Sequence, residues 1–120
     1  MCDRNESLKI RDEAYELCKA LFNDKLTDCY LYGSYARGDY DNESDVDIMM
    51  VVDFSYQEIN KLRPKIIFIG SELSLKYDVT VSLKIQPKDI LEKYKDVLPY
   101  YMNVLKEGIR YDLRWEEVSF

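Results

Sequence analysis

The N-terminal segment of the chain combines charged positions with a regular stripe of apolar ones. Apolar side chains recur at a spacing of four, three and four residues, at Ile10, Ala14, Leu17 and Leu21. This spacing places them on one side of an α-helix. The pattern therefore predicts an amphipathic helix that ends near Asn23.

Two short strands are predicted on either side of a polar loop that runs from residue 33 to residue 44. The first is the apolar run 29–32, which Gly33 stops. In the second strand, one set of apolar residues occupies every other position, and this two-residue period is typical of a strand. Its two faces are Val46, Ile48, Met50 and Val52 on one side and Asp45, Asp47, Met49 and Val51 on the other.

A second helix is predicted to begin with a capping box formed by Ser55 and Glu58. Apolar residues at helical spacing continue from there to about Leu75. Pro64 and Gly70 interrupt the pattern, and a proline inside a helix costs about 3 kcal/mol. We therefore expect a kink or a break there. The apolar run of residues 66 to 69 leaves a strand open as an alternative.

The last part of the chain predicts one more strand and two short helices. Val79, Val81, Leu83 and Ile85 alternate with Asp78, Thr80, Ser82 and Lys84. Asp78 would open the polar face of this strand. Pro87 and Pro99 suit a first helical turn, and Gly108 suits a helix end. The order of elements predicts an α/β (α+β) fold, a small mixed β-sheet flanked by helices, as a single domain over residues 1–120.

Charge and hydropathy exclude several classes of function. The chain has 17 basic and 23 acidic residues, and six of the acids lie between Asp39 and Asp53 without any Lys or Arg. The other 17 acids balance the 17 basic residues, so we expect no direct binding to duplex nucleic acid. The local acidic cluster points instead to divalent cations. No apolar run reaches membrane-spanning length and the start is polar, so we expect a cytoplasmic protein.

Three cysteines, Cys2, Cys18 and Cys29, occur without a CxxC spacing, and the chain has no histidine. This composition disfavours both a disulfide framework and a zinc site. We expect reduced thiols, with Cys18 and Cys29 buried. The eleven tyrosines, Tyr100 among them, are interpreted mainly as rings that cover a small core.

The loop between the first two strands carries the groups that phosphoryl transfer requires. Gly33 lets the backbone approach phosphate oxygens, and the Ser34 hydroxyl with nearby amides can bind a polyphosphate. Asp45 and Asp47 stand two apart on a strand, so their α-carbons are roughly 6.5 Å apart and their carboxylates can converge. Such a pair suits two Mg²⁺ ions about 3.5 to 4 Å apart.

Two further residues are candidates for the same site. Asp78 would complete a set of three carboxylates if its strand lies next to that of Asp45, and it would then hold the catalytic metal and relay the proton of an attacking hydroxyl. Its alternative is an exposed acid at a strand edge. Arg37 could hold triphosphate oxygens, or it could form a surface ion pair with Asp39 or Asp41. The acids of the loop, Asp39, Asp41 and Glu43, are interpreted as solvated side chains.

These residues resemble the minimal nucleotidyltransferases (MNT-type antitoxins) of the DNA polymerase β nucleotidyltransferase superfamily. Their pattern is Gly-Ser, about ten residues, Asp-hydrophobic-Asp, and a later acid on a neighbouring strand. Here it is matched by Gly33-Ser34, ten intervening residues, Asp45-Val46-Asp47 and Tyr77-Asp78-Val79. The similarity covers most of the chain, including the ending around Glu107-Gly108.

The resemblance implies a Mg²⁺-dependent enzyme that transfers AMP from ATP to a hydroxyl of a helical HEPN-type toxin, for which it is the antitoxin. It implies Asp45, Asp47 and Asp78 as catalytic metal ligands, and a possible homo- or hetero-oligomer. Two alternatives stay open: a non-catalytic antitoxin that only covers its partner, and an adenylyltransferase for a small molecule such as an aminoglycoside. The apolar tail residues either pack on the sheet or dock to a partner. They are Leu113, Trp115, Val118 and Phe120.

Overall fold

A four-stranded sheet forms the centre of the structure, a computed structural model that describes residues 2–112. The strands are β1 (Leu26–Tyr32), β2 (Val46–Val52), β3 (Val81–Pro87) and β4 (Ile109–Arg110). The helices are α1 (Arg4–Phe22), α2 (Ser34–Arg37), α3 (Tyr56–Lys61), α4 (Arg63–Tyr77), α5 (Lys88–Tyr94) and α6 (Pro99–Glu107). A short 3-10 turn, Asn23–Lys25, joins α1 to β1. The predicted fold class is confirmed, while the predictions for the tail beyond residue 112 lie outside the described residues.

The strands are arranged in the order β3-β2-β1-β4. β2 pairs with β1 in antiparallel and with β3 in parallel, and β4 pairs with the far edge of β1 in antiparallel. A parallel pair needs a long crossover connection, which α3 and α4 provide between β2 and β3. β2 therefore lies inside the sheet with a partner on each edge.

Side chains cover both faces of β2, which places the core around this strand. Its residues Val46, Ile48, Met50 and Val52 pack with apolar side chains of α1 and α4. On the opposite face, Met49 and Val51 pack with residues of α5 and α6. Asp47 is the only residue of β2 that is not buried. The most buried strand of the described fold thus carries a partly exposed carboxylate near its start.

Helix α1 forms where the sequence predicts it, but its buried face is rotated from the predicted one. Ile10 and Ala14 are fully buried, whereas 41% of Leu17 is exposed. Tyr15, Cys18 and Phe22 are buried in its place and belong to the core around β2. The prediction that Leu17 belongs to the core stripe is wrong, because the larger aromatic side chains of α1 take the positions against the sheet.

The three cysteines are free and buried. Burial raises the pKa of Cys18 to about 12 and raises that of Cys29 further, so both remain protonated thiols at neutral pH. None of the helices within residues 2–112 has the length and hydropathy to span a membrane.

The predicted second helix divides into two. The capping box of Ser55 and Glu58 begins α3, and α4 begins after Leu62 with Pro64 in its first turn, where proline is tolerated. Gly70 lies inside α4 without interrupting it. Residues 66 to 69 are helical, so the alternative of a strand there is wrong.

The C-terminal elements confirm two short helices and add a strand. Pro99 is the first residue of α6, and Gly108 follows its end; Pro87, however, is the last residue of β3 and precedes α5. Strand β4, which the sequence analysis did not predict, is only two residues long, too short for an alternating pattern.

Candidate active site

The site is built where β1 turns into α2 beside the start of β2. Tyr32, the last residue of β1, is the cross-strand partner of Asp47. The next residue, Gly33, has φ 75° and ψ −154°, a conformation open almost only to glycine. Helix α2, a single helical turn, begins directly after it at Ser34. Gly38, with φ 93°, caps the C-terminus of this helix. The two predicted groups, Gly33-Ser34 and Asp47, are therefore brought together.

Asp47 fills the space in which a side chain at residue 33 would lie. A Cβ built on Gly33 would be 2.3 Å from Oδ2 of Asp47 and 3.2 Å from its Cγ. The carboxylate thus lies directly against the backbone of the turn. Glycine is required at this position both for its positive φ and for this close approach.

Asp45 and Asp47 form a pair of interacting carboxylates. Asp45 is exposed and immediately precedes β2, whereas Asp47 is half-buried inside it. The pKa of Asp47 is raised, first by burial and then by the negative charge of Asp45. Two carboxylates that repel each other beside a backbone turn are the oxygen donors that a divalent cation such as Mg²⁺ prefers. The donor set therefore suits a divalent cation.

Asp78 lies outside the neighbouring strand β3, although β3 does pair with β2 as expected. The residue caps the C-terminus of α4 in the left-handed conformation, φ 52° and ψ 46°, and its side chain is exposed. β3 begins only at Val81, so the prediction that Asp78 opens the polar face of the strand is wrong. No cluster of three acidic or thiol side chains able to hold a metal occurs within residues 2–112. The physical reason is that the helical pattern of α4 continues through Tyr77.

Arg37, the last residue of α2, already has partners at the edge of the site. Its Nε donates to Oδ2 of Asp39 at 3.2 Å, and its Nη1 lies 3.5 Å from Oε2 of Glu107. The hydrogen bond to Asp39 is the main cause of a raised Arg37 pKa. The ion-pair interpretation of Arg37 therefore holds in this structure, and a role toward phosphate stays a prediction.

A cavity of about 510 Å³ opens between α2 and α6, a size that suits a small-molecule ligand. Asp47 is part of its wall. The other lining residues are Tyr32, Gly33, Ser34, Arg37, Tyr100, Asn103, Val104 and Glu107. The residues of α6 are not among the site residues that the sequence predicts. Tyr100, Asn103 and Glu107 are spaced by three and four, and this helical spacing of polar groups was the signal that could have found them.

Two tyrosines form one wall of the cavity. The hydroxyl oxygens of Tyr32 and Tyr100 are 2.9 Å apart, and the rings pack edge to face with centroids 6.0 Å apart. Burial is the main cause that raises the pKa of Tyr32, with further contributions from Tyr100 and the charge of Asp47. The Tyr32 hydroxyl therefore keeps its proton at neutral pH, and both hydroxyls can donate or accept hydrogen bonds.

Comparison with known proteins identifies similar sequences and folds. The sequence profile of the nucleotidyltransferase domain family matches residues 11–111. The chain is 41% identical over 96 residues to the Methanocaldococcus jannaschii protein named "Putative protein adenylyltransferase MJ0141", covering 80% of this chain and 95% of that protein.

Two solved structures have a similar fold. One is a toxin–antitoxin structure with AMP-PNP, with a TM-score of 0.54 and 20% identity over 90% of this chain and 78% of that one. The other is the tri-AMPylated Shewanella oneidensis HEPN toxin in complex with MNT antitoxin, with a TM-score of 0.52 and 16% identity over 92% of this chain and 76% of that one. At these identities the likeness concerns the fold.

The close approach of Gly33 to Asp47 predicts an energetic coupling between them. Gly33→Ala should lower the free energy of unfolding by more than the roughly 1–3 kcal/mol of backbone strain, because its Cβ must displace the carboxylate. Gly38→Ala is the matched control, since Gly38 also has positive φ but nothing lies within 4 Å of an added Cβ. Chemical denaturation of both variants, each with and without Asp47→Ala, measures the coupling. Equal coupling in the two cycles would contradict the contact.

The raised pKa of Asp47 predicts that its charge destabilises the fold. The folded state holds this proton more tightly than the unfolded chain, so stability is lost as the pH rises through the aspartate range above 3.8. Asp47→Asn should therefore increase the free energy of unfolding at neutral pH, without divalent cations, and leave it nearly unchanged at pH values well below 3.8. The control is Asp53→Asn, an exposed acid just beyond the other end of β2. A less stable Asp47→Asn protein at neutral pH would contradict this electrostatic account.

Proposed function

Since the chain belongs to the nucleotidyltransferase domain family, we propose that this nucleotidyltransferase moves AMP from ATP, with Mg²⁺, to a hydroxyl of a HEPN-type toxin protein and is the antitoxin of that toxin. The observation that carries the proposal is the placement of Asp47 against Gly33 at the cavity wall. It joins a carboxylate to a turn whose backbone is open to a phosphate.

The chain's own residues divide the work of binding ATP. Asp45 and Asp47 would hold Mg²⁺, which when bound neutralises charge on the phosphates in the transition state. The backbone of Gly33 and the hydroxyl of Ser34 would bind phosphate oxygens, since both border the cavity beside Asp47. The nucleoside would lie in the cavity beside Tyr32 and Tyr100, whose hydroxyls can form hydrogen bonds with it.

Transfer itself needs little covalent chemistry from the protein. The oxygen of the acceptor hydroxyl forms a bond to the α-phosphorus, and the bond from that phosphorus to the bridging oxygen of the β-phosphate breaks. Pyrophosphate leaves, and the hydroxyl proton passes to solvent on the open side of the site, where Asp45 is exposed. The contribution of the chain is positioning and the control of charge.

The acceptor is proposed to be a protein, and the described residues of this chain would supply only the nucleotide side of the reaction. A docked partner would bring its own acceptor hydroxyl and position it. Two comparisons support this choice. The relative from Methanocaldococcus jannaschii is named as a protein adenylyltransferase, and one structure with a similar fold contains a tri-AMPylated HEPN toxin with its MNT antitoxin.

The second candidate function is an antitoxin that binds its partner without modifying it. The observation that favours it is the position of Asp78, which is the cap of α4 and not a residue of β3. A site with two carboxylates lacks the third acid that the resemblance leads us to expect. The two candidates differ in whether the partner gains mass.

The decisive test incubates the chain and a HEPN-type partner with ATP and Mg²⁺ and measures the mass of the partner. We expect mass increments of one AMP, which disappear with EDTA or in the double variant Asp45→Asn/Asp47→Asn, because the metal ligands are lost. The matched control is Asp41→Asn/Glu43→Gln, which removes the charge of two exposed acids in the adjoining loop and should leave transfer within about threefold. An unmodified partner whose toxicity is still suppressed by both double variants would favour the binding module.

A further inference from the structure

Lys84 lies on the same side of the sheet as Asp47, on the neighbouring strand. The parallel pairing of β2 with β3 puts Ser82 beside Asp47 and Lys84 beside Met49. Side chains two residues apart along a strand share a face, so Ser82 and Lys84 both face the side of the sheet that carries the cavity. Of these two side chains of β3, only that of Lys84 is charged, and its charge is positive.

The ammonium group of Lys84 is not neutralised by a neighbour. Over residues 2–112 the ion pairs do not include Lys84. Its Nζ lies instead 5.2 Å from the ring centroid of Tyr100, a residue of the cavity wall. Arg37, by contrast, is engaged by two carboxylates. Lys84 is thus a cation on the cavity side of the sheet that forms no ion pair within residues 2–112.

The contact of Lys84 with Tyr100 can be exchanged for a contact with a bound anion. A contact between an exposed ammonium and a ring face is weak, and the four-carbon stem of lysine lets the ammonium move to a stronger anionic partner. A phosphate group bound next to Asp47 would be such a partner.

We propose that Lys84 is a phosphate-binding residue of the active site. When a nucleotide binds, the ammonium group of Lys84 moves from the ring of Tyr100 to the triphosphate. The proposal rests on the proposed function, because it assumes that the cavity binds a nucleoside triphosphate. The sequence predicts a negative charge, that of Asp78, next to β2, whereas this proposal assigns a positively charged residue of β3 to the site. The neighbouring strand supplies a positive charge that attracts the substrate, and the cation-binding ligands come from the β2 side alone.

Calorimetric titration with ATP and with adenosine tests the proposal directly. Lys84→Met should weaken ATP binding by about 10- to 100-fold, the usual effect of losing a charge-assisted hydrogen bond. Adenosine binding should change by less than about twofold, since adenosine has no phosphate. Lys84→Arg should keep most of the ATP affinity. Both titrations contain Mg²⁺, because the carboxylates of Asp45 and Asp47 would otherwise repel the triphosphate.

The matched control is Lys93→Met on α5. Lys93 is also an exposed lysine, and its Nζ lies 5.3 Å from the ring centroid of Tyr94, but neither residue lines the cavity. Its removal should leave both affinities unchanged. Unchanged ATP binding by Lys84→Met would overturn the proposal. Equal losses for ATP and adenosine would overturn it too, because Lys84 would then act only by supporting Tyr100. Absence of ATP binding by the unsubstituted protein would refute the proposed function itself.

Discussion

The contact between the backbone of Gly33 and the carboxylate of Asp47 is the constraint on which the site depends. It requires a glycine at the end of β1, and it requires β1 and β2 to pair in a register that sets Tyr32 opposite Asp47. A shift of one residue in that register would turn Asp47 into the core and the apolar side chains of β2 toward the cavity. The burial of both faces of β2 therefore fixes the register and, with it, the site.

This arrangement places a destabilising group in the best-packed part of the described fold. Asp47 is half-buried, close to the charge of Asp45, within a strand whose other residues are buried. The core on either side of the sheet can offset such a group, because each well-buried aliphatic side chain contributes about 1.5–3 kcal/mol. A cation bound by the pair, and the nearby charge of Lys84, would both relieve the repulsion. The aspartate pair is thus arranged to bind a cation.

The features that the sequence predicted correctly are local ones. The capping box at Ser55 and Glu58 needs only four consecutive residues, and the alternation that defines β2 needs seven. The pairing of Gly33-Ser34 with Asp47 could also be predicted, because the two strands that hold them are consecutive and antiparallel. In these cases the residues that determine the structure are close together in the chain.

The features that were missed depend on contacts between distant residues. The rotation of α1, which exposes Leu17, follows from the fit of Tyr15 and Phe22 against the sheet. Asp78 was placed on a strand because it precedes an alternating pattern, yet α4 extends far enough for that residue to become its cap. The spacing of Tyr100, Asn103 and Glu107 indicates one polar face of α6, but the packing of that face over the cavity depends on contacts with distant residues.

The central claim is that the Asp45–Asp47 pair and the Gly33-Ser34 turn together form one site for a nucleotide and its metal. Crystals grown with Mn²⁺ and a non-hydrolysable ATP analogue test it most directly, because Mn²⁺ takes the same oxygen ligands as Mg²⁺ and scatters anomalously. The account predicts an anomalous peak at bonding distance from carboxylate oxygens of Asp45 and Asp47, with phosphate oxygens on the turn at Gly33. A nucleotide and metal bound elsewhere, for example at the exposed acids of the 39–43 loop, would contradict it.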